Sequence, residues 1–162
     1  SLRKVAANEP VYIDLAACVN GYVVDMTRMY VVGELPKPAW EAFEVVERIY
    51  RLFETEARPG VRTADLYQRL WDEARDGGLG DFFMGPGTDK VSFLAHGVGL
   101  ELDEYPFLTA RFPYPLEADS VLAFEPKFFL PNLGIIGMDD TGRITPRGVE
   151  WLTHSPRRIT VI

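Results

Sequence analysis

The dipeptide Asn20-Gly21 constrains this chain more than any other feature. It stands between two runs rich in Val, Ile, Tyr and Thr, residues 11–19 and 22–32. Both of its residues accept positive φ, which a two-residue hairpin turn requires. With the turn there, Ala16 faces Asp25 and Asp14 faces Thr27. Side chains alternate along a strand, so Asp14, Ala16, Cys18, Val23, Asp25 and Thr27 share one face. The other face is Ile13, Leu15, Ala17, Val19, Tyr22, Val24 and Met26, an apolar set expected to meet the core. Asp14 and Asp25 become diagonal neighbours with Cα atoms roughly 7–8 Å apart, near enough to share a cation. Side by side they repel unless water screens them or a cation neutralises them. A solvated outer face is the plain alternative, but Ala, Cys and Val beside the acids suit such a surface poorly.

Beyond the hairpin, apolar residues Trp40, Phe43, Val46, Ile49, Tyr50 and Phe53 recur at helical spacing, predicting a helix over 38–57 that Pro59-Gly60 ends. A second helix is expected over 64–75, with Thr63 as N-cap and Gly77-Gly78 as its stop. Residues 118–129 and 134–140 read as two strands around a loop centred on Asn132, which sets Glu125 opposite Asp139 and turns Asp140 the other way. The segment 145–162 is short and mixed. Strands, two helices and more strands give an α+β domain with an antiparallel sheet, residues 1–162 forming one unit.

His96 opens the run Ala95-His96-Gly97-Val98-Gly99-Leu100-Glu101, where the glycines permit close approach of backbone or substrate. A lone histidine is more often structural than ligating, and His154 lies in a polar segment that offers it no chemistry. A net charge of −7 with no Lys/Arg run argues against a nucleic-acid partner. No apolar run approaches the roughly 20 residues of a membrane-spanning helix, so no membrane partner is expected. The single cysteine, Cys18, excludes an intrachain disulfide and fits a reducing, cytoplasmic setting; without a base beside it, it reads as a small packing residue. Residues 85–90 lack the Gly-Lys-Ser/Thr ending of a phosphate loop.

Four stretches occur in order: Ile13-Asp14-Leu15, Gly21-Tyr22-Val23-Val24-Asp25-Met26-Thr27-Arg28, His96-Gly97-Val98-Gly99-Leu100-Glu101 and Phe124-Glu125-Pro126. Together they resemble the catalytic domain of the pita-bread metallopeptidases: X-Pro dipeptidase (prolidase), aminopeptidase P, methionine aminopeptidase and creatinase. The match is nearest to the prolidase and creatinase branch and covers nearly the whole chain. The resemblance implies a pita-bread fold, an antiparallel curved sheet with flanking helices. It also implies that residues 1–162 are a C-terminal portion of the domain, inactive alone, from a protein that works as a homodimer on short proline-containing peptides.

Carried onto this sequence, the resemblance implies two divalent ions, Mn, Co, Fe or Zn. Asp14 would bind one, Asp25 and Asp139 would bridge, and His96 and Glu125 would bind the other. A water held between the ions would attack the scissile carbonyl as hydroxide, and Glu125 would also relay a proton to the leaving amine. Thr27 and Arg28 would orient the acids or serve structure alone. Two departures stand out. The family usually has Glu where Asp139 stands. It commonly carries a second histidine seven residues beyond His96, where this chain has Asp103. An ionised acid cannot donate to an oxyanion, so Asp103 reads as a contact for a substrate amine or as a surface acid. These departures keep two alternatives open: other pita-bread chemistry (amidine hydrolysis or a lyase), and a non-catalytic peptide- or protein-binding module.

Overall fold

The computed structural model describes residues 2–162. The first hairpin forms as the sequence dictates. Strands β1 (Pro10–Val19) and β2 (Tyr22–Val31) pair antiparallel, with Ala16 opposite Asp25 and Asp14 opposite Thr27. Asn20 and Gly21 turn the chain at φ 53° and 87°, the left-handed region these two residues tolerate best.

Helix α1 (Lys37–Glu56) has proline in its first turn, where the missing N–H has no intrahelical partner to lose. Its Phe43, Val46, Ile49, Tyr50 and Phe53 are all buried. Phe53 stacks on Phe124 with ring centroids 3.9 Å apart, and Tyr50 Oη donates to Phe124 O at 2.9 Å. The helix thereby fixes the strand that leads into Glu125. Helix α2 (Thr63–Asp76) ends at Gly77 as expected, but Thr63 is its first residue and not its cap. The Thr63 hydroxyl donates to Phe112 O instead, and Arg62 at the N-cap supplies no side-chain bond.

The second hairpin is more broken than expected. Residues 118–129 yield β5 (Val121–Phe124) and β6 (Lys127–Leu130), and the return arm yields β7 (Gly134–Gly137) and β8 (Asp139–Thr145). Pro126 has no N–H to give a ladder, so pairing lapses there. β6 and β7 form their own ribbon, while β5 and β8 join the main sheet. The register nonetheless holds across the break. Phe128 faces Ile136 and Leu122 faces Gly142, both pairs symmetric about Asn132.

The main sheet runs β1-β2-β8-β5-β3-β4, with β3 at Ala95–Gly97 and β4 at Glu104–Leu108. A Cβ on Gly97 would meet Tyr105 O at 2.5 Å, so this glycine serves the approach of β4. The C-terminal segment read as mixed contributes β9 (Gly148–Trp151) beside β8 and β10 (Ile159–Val161) beside β2. β10 lies parallel to β2, an exception to the antiparallel expectation. No helix among the described residues is long and apolar enough to cross a membrane.

A further expectation fails. The apolar face of the first hairpin is not core: Leu15 is 55% exposed and Tyr22 66%, with Ile13 and Val19 also exposed. α1 packs on this side of the sheet against Phe124 and Trp151, residues of β5 and β9. The hairpin tip extends beyond that cover, and alternation alone cannot tell which end of a strand a helix will reach. Cys18 is likewise exposed and free, not packed.

Candidate metal centre

The sheet register brings the expected residues into two neighbouring rows on one face. Asp14 faces Thr27, and Thr27 faces Asp139. The β5–β8 pairing ends with Phe124 opposite Asp140, one residue short of Glu125 and Asp139, and Glu125 lies near enough to raise the Asp139 carboxyl. The second row runs through Ala16, Asp25, Thr141, Ala123 and His96. Ala16 faces Asp25, Ala123 faces both Thr141 and His96, and the Thr141 hydroxyl bonds Asp25 backbone N and O at 3.1 and 2.8 Å. The rows lie two residues apart along the strands, so all these side chains rise on the same side. Thr27, Thr141 and Ala123 are small, and they leave the space between the acids open.

Within that space the acids are poorly compensated. Asp25 Oδ1 and Asp139 Oδ1 are buried and have no hydrogen-bond partner. Burial, then the Asp14 carboxylate, pushes the Asp25 carboxyl up to about 6, with His96 opposing and Glu125 reinforcing. Burial, then Asp25 and Glu125, holds the Asp139 carboxyl well above the usual range, against the pull of Lys127. His96 is buried, with Nε2 3.8 Å from Asp25 Oδ2 and Nδ1 3.0 Å from Gly97 O. Asp103 Oδ1 stands 3.5 Å from the same Nδ1, on a side chain 55% exposed. Asp14, on the edge strand, is exposed.

The opposite face treats acids differently. Asp140 points away from the cluster, as strand alternation predicts. It accepts from Arg28 Nη2 at 2.6 Å, from Arg157 Nε at 2.8 Å and from the Thr153 hydroxyl. Arg28 also donates to Asp139 O at 2.9 Å, so it anchors the backbone under the cluster.

Three residues of this region escaped sequence reasoning. Thr141 braces Asp25. The buried Tyr12 hydroxyl is held well above its usual pKa, first by burial and then by the surrounding Asp139, Glu125 and Asp14 carboxylates. Lys127 donates from Nζ to Glu125 Oε2. For Tyr12 and Lys127 the signal was available: Tyr12 lies two residues from Asp14 along β1, and Lys127 lies two residues from Glu125 within the strand expected over 118–129.

Among the described residues, no three His, Cys, Asp or Glu side chains close together tightly enough to hold one ion. The donor set nonetheless suits a divalent cation by chemistry. It offers hard carboxylate oxygens plus one imidazole, and two buried carboxylate oxygens on one face, like the Tyr12 and Thr27 hydroxyls there, lack any partner. A cation is the group such oxygens call for, because an unpaired buried anion is costly.

The architecture is shared with known proteins. An Xaa-Pro dipeptidase from Bacillus anthracis superimposes with a TM-score of 0.90 at 25% identity, covering 100% of this chain and 44% of that one. A prolidase from Pyrococcus furiosus gives a TM-score of 0.86 at 32% identity, covering 96% of this chain and 44% of the other. The fold is therefore the pita-bread fold. In sequence, the Xaa-Pro dipeptidase of Pyrococcus furiosus is 31% identical over 157 residues, which span 97% of this chain and 43% of that protein's length. The chain thus spans less than half the length of these relatives. The model of metallopeptidase family M24 matches residues 1–146, and this chain belongs to that family.

Proposed function

We propose that the full-length protein hydrolyses Xaa-Pro bonds in dipeptides or short peptides, using divalent metal at a centre formed by Asp14, Asp25, His96, Glu125 and Asp139. The observation that carries this reading is the pair of buried, unpartnered oxygens on Asp25 and Asp139. Family membership and relatives named Xaa-Pro dipeptidase support the bond class. Mostly oxygen donors with one imidazole suit Mn, Co, Fe or Zn. Such ions, when bound, polarise a carbonyl and lower the pKa of a water.

The chain's own groups do the rest. His96 turns Nδ1 to Gly97 O, so a ring protonated at Nδ1 offers the Nε2 lone pair to the cluster. Glu125, 11% exposed at its side chain and bonded to Lys127 through Oε2, would take a proton on its other oxygen and pass it to the leaving amine. Asp103 at the rim offers a carboxylate to the substrate's ammonium group. Assembly as a cytoplasmic homodimer belongs to the same reading and rests on the resemblance.

The test is proline release from Xaa-Pro dipeptides by full-length protein loaded with Mn²⁺ or Co²⁺. Asp25→Asn should weaken metal binding by at least the roughly 10–100-fold that losing even an outer partner costs, and proline release should fall with it. No release from any Xaa-Pro dipeptide, with metal bound, overturns the peptidase reading. It would favour the second reading, other chemistry or a binding module, which Asp103 in place of a hydrogen-bond donor motivates.

A further inference from the structure

We infer that Lys127 is a built-in cation of this centre, holding Glu125 in the place of a second divalent ion, so that the protein binds one ion tightly and not two. This rests on the reading of the acid cluster as a metal site and specifies its loading. Lys127 opens β6, two residues after Glu125, and Nζ donates to Glu125 Oε2. The two side chains are only 14% and 11% exposed, so water screens the pair weakly. The lysine stem has a seat. Gly137 faces Lys127 across the β6–β7 ribbon, and a Cβ there would stand 2.6 Å from Lys127 Cβ. A side chain at residue 137 would displace the lysine, and glycine lets it lie inward.

Charge counting gives the consequence. Asp14, Asp25, Glu125 and Asp139 against one ammonium leave three negative charges when all are ionised. One divalent ion brings the cluster to −1 and a second to +1. A second ion at Glu125 would stand beside the Lys127 ammonium with little water between them, where like charges are costly. The ammonium also uses a Glu125 oxygen that a second ion would approach to about 2.0–2.2 Å. Asp25 Oδ1 and Asp139 Oδ1 remain without partners and are the natural seat of the first ion.

The test compares full-length wild type, Lys127→Met and Lys127→Arg by titration calorimetry with Mn²⁺ and by elemental analysis after dialysis. Wild type and Lys127→Arg should hold one Mn²⁺ per chain. Lys127→Met should hold two, the second roughly 10–100-fold tighter than in wild type. Lys127→Gln, read by the rise in Tm on adding Mn²⁺, covers the case in which the Met variant does not fold; its rise should exceed that of wild type. An equal rise, or a second ion no tighter in the neutral variants, overturns the inference. So does a second ion gained by Lys127→Arg, since charge would then be irrelevant. Two tight ions in every variant overturn the inference and leave the metal reading standing. No ion in any of them overturns both.

Discussion

Asp139 and Asp140 are chain neighbours, both buried, and their surroundings are opposite in kind. Asp140 lies on the helix-packed side of the sheet and is ringed by Arg28, Arg157 and Thr153. Asp139 lies on the acid face, with one oxygen unpartnered and the nearby carboxylates of Asp25 and Glu125 acting against its ionisation. A buried carboxylate with both oxygens answered by donors holds a fold together. One left unanswered among like charges weakens the fold unless something else binds there. The contrast separates structural acids from candidate ligands more sharply than burial does, because Asp140 and Asp139 are equally hidden, at 0% and 2% exposure.

The comparison can be broken from the structural side first. Asp140→Ala leaves Arg28 buried without its partner and should cost about 3–5 kcal/mol, seen as a large fall in Tm with and without Mn²⁺. A loss comparable to that of an exposed-site change would mean that Arg28 finds other partners and that the two acids are less different than they look.

The acid face should respond in the opposite sense, and to pH. Asp25 has its carboxyl raised from 3.8 to about 6 by burial first, then by Asp14, with Glu125 adding and His96 opposing. Below 3.8 both folded and unfolded chains carry the proton. Between 3.8 and about 6 only the folded chain keeps it, so stability from this group falls as pH rises through that window. In metal-free protein, the stability of wild type relative to Asp25→Asn should drop by on the order of 2 kcal/mol between pH 4 and 6.5. Chemical denaturation at each pH measures it, and saturating Mn²⁺ should reverse it. A rise across the same window would place a compensating cation on Asp25 and remove the contrast.

Asp139→Glu tests the smallest difference. One methylene adds roughly 1.5 Å of reach, so the variant should bind Mn²⁺ as well as wild type or up to about tenfold better, by calorimetry. Weaker binding would show that the space beside Asp139 is already filled to the length of Asp.

Much of this site could be read from residues alone, because a β-hairpin with a two-residue turn has little freedom. Once Asn20-Gly21 is the turn, Asp14 and Asp25 must share a face. The symmetry about Asn132 likewise survived the break at Pro126, and Glu125 still lies near Asp139. Lys127 is legible by the same alternation, two residues beyond Glu125, but a cationic side chain is no metal ligand and its type gives no sign that it opposes the acids. Thr63 was misread as a cap because its hydroxyl had a better acceptor in Phe112, far along the chain. The exposed side of the hairpin was misread because a helix can bury only the surface it reaches.

The sequence by itself determined the local geometry here: where the chain turns, which side chains alternate together, and which helices bury aromatic faces. Those follow from φ preferences and from periodicities of two and 3.6, which act between near neighbours. Only the tertiary structure decided that two hairpins and the His96 strand lay their acids in adjacent rows, that Arg28 and Arg157 satisfy Asp140 while Asp139 stays open, and that Lys127 reaches Glu125. Such outcomes depend on the order in which strands join a sheet, and that order is fixed by packing across the whole domain.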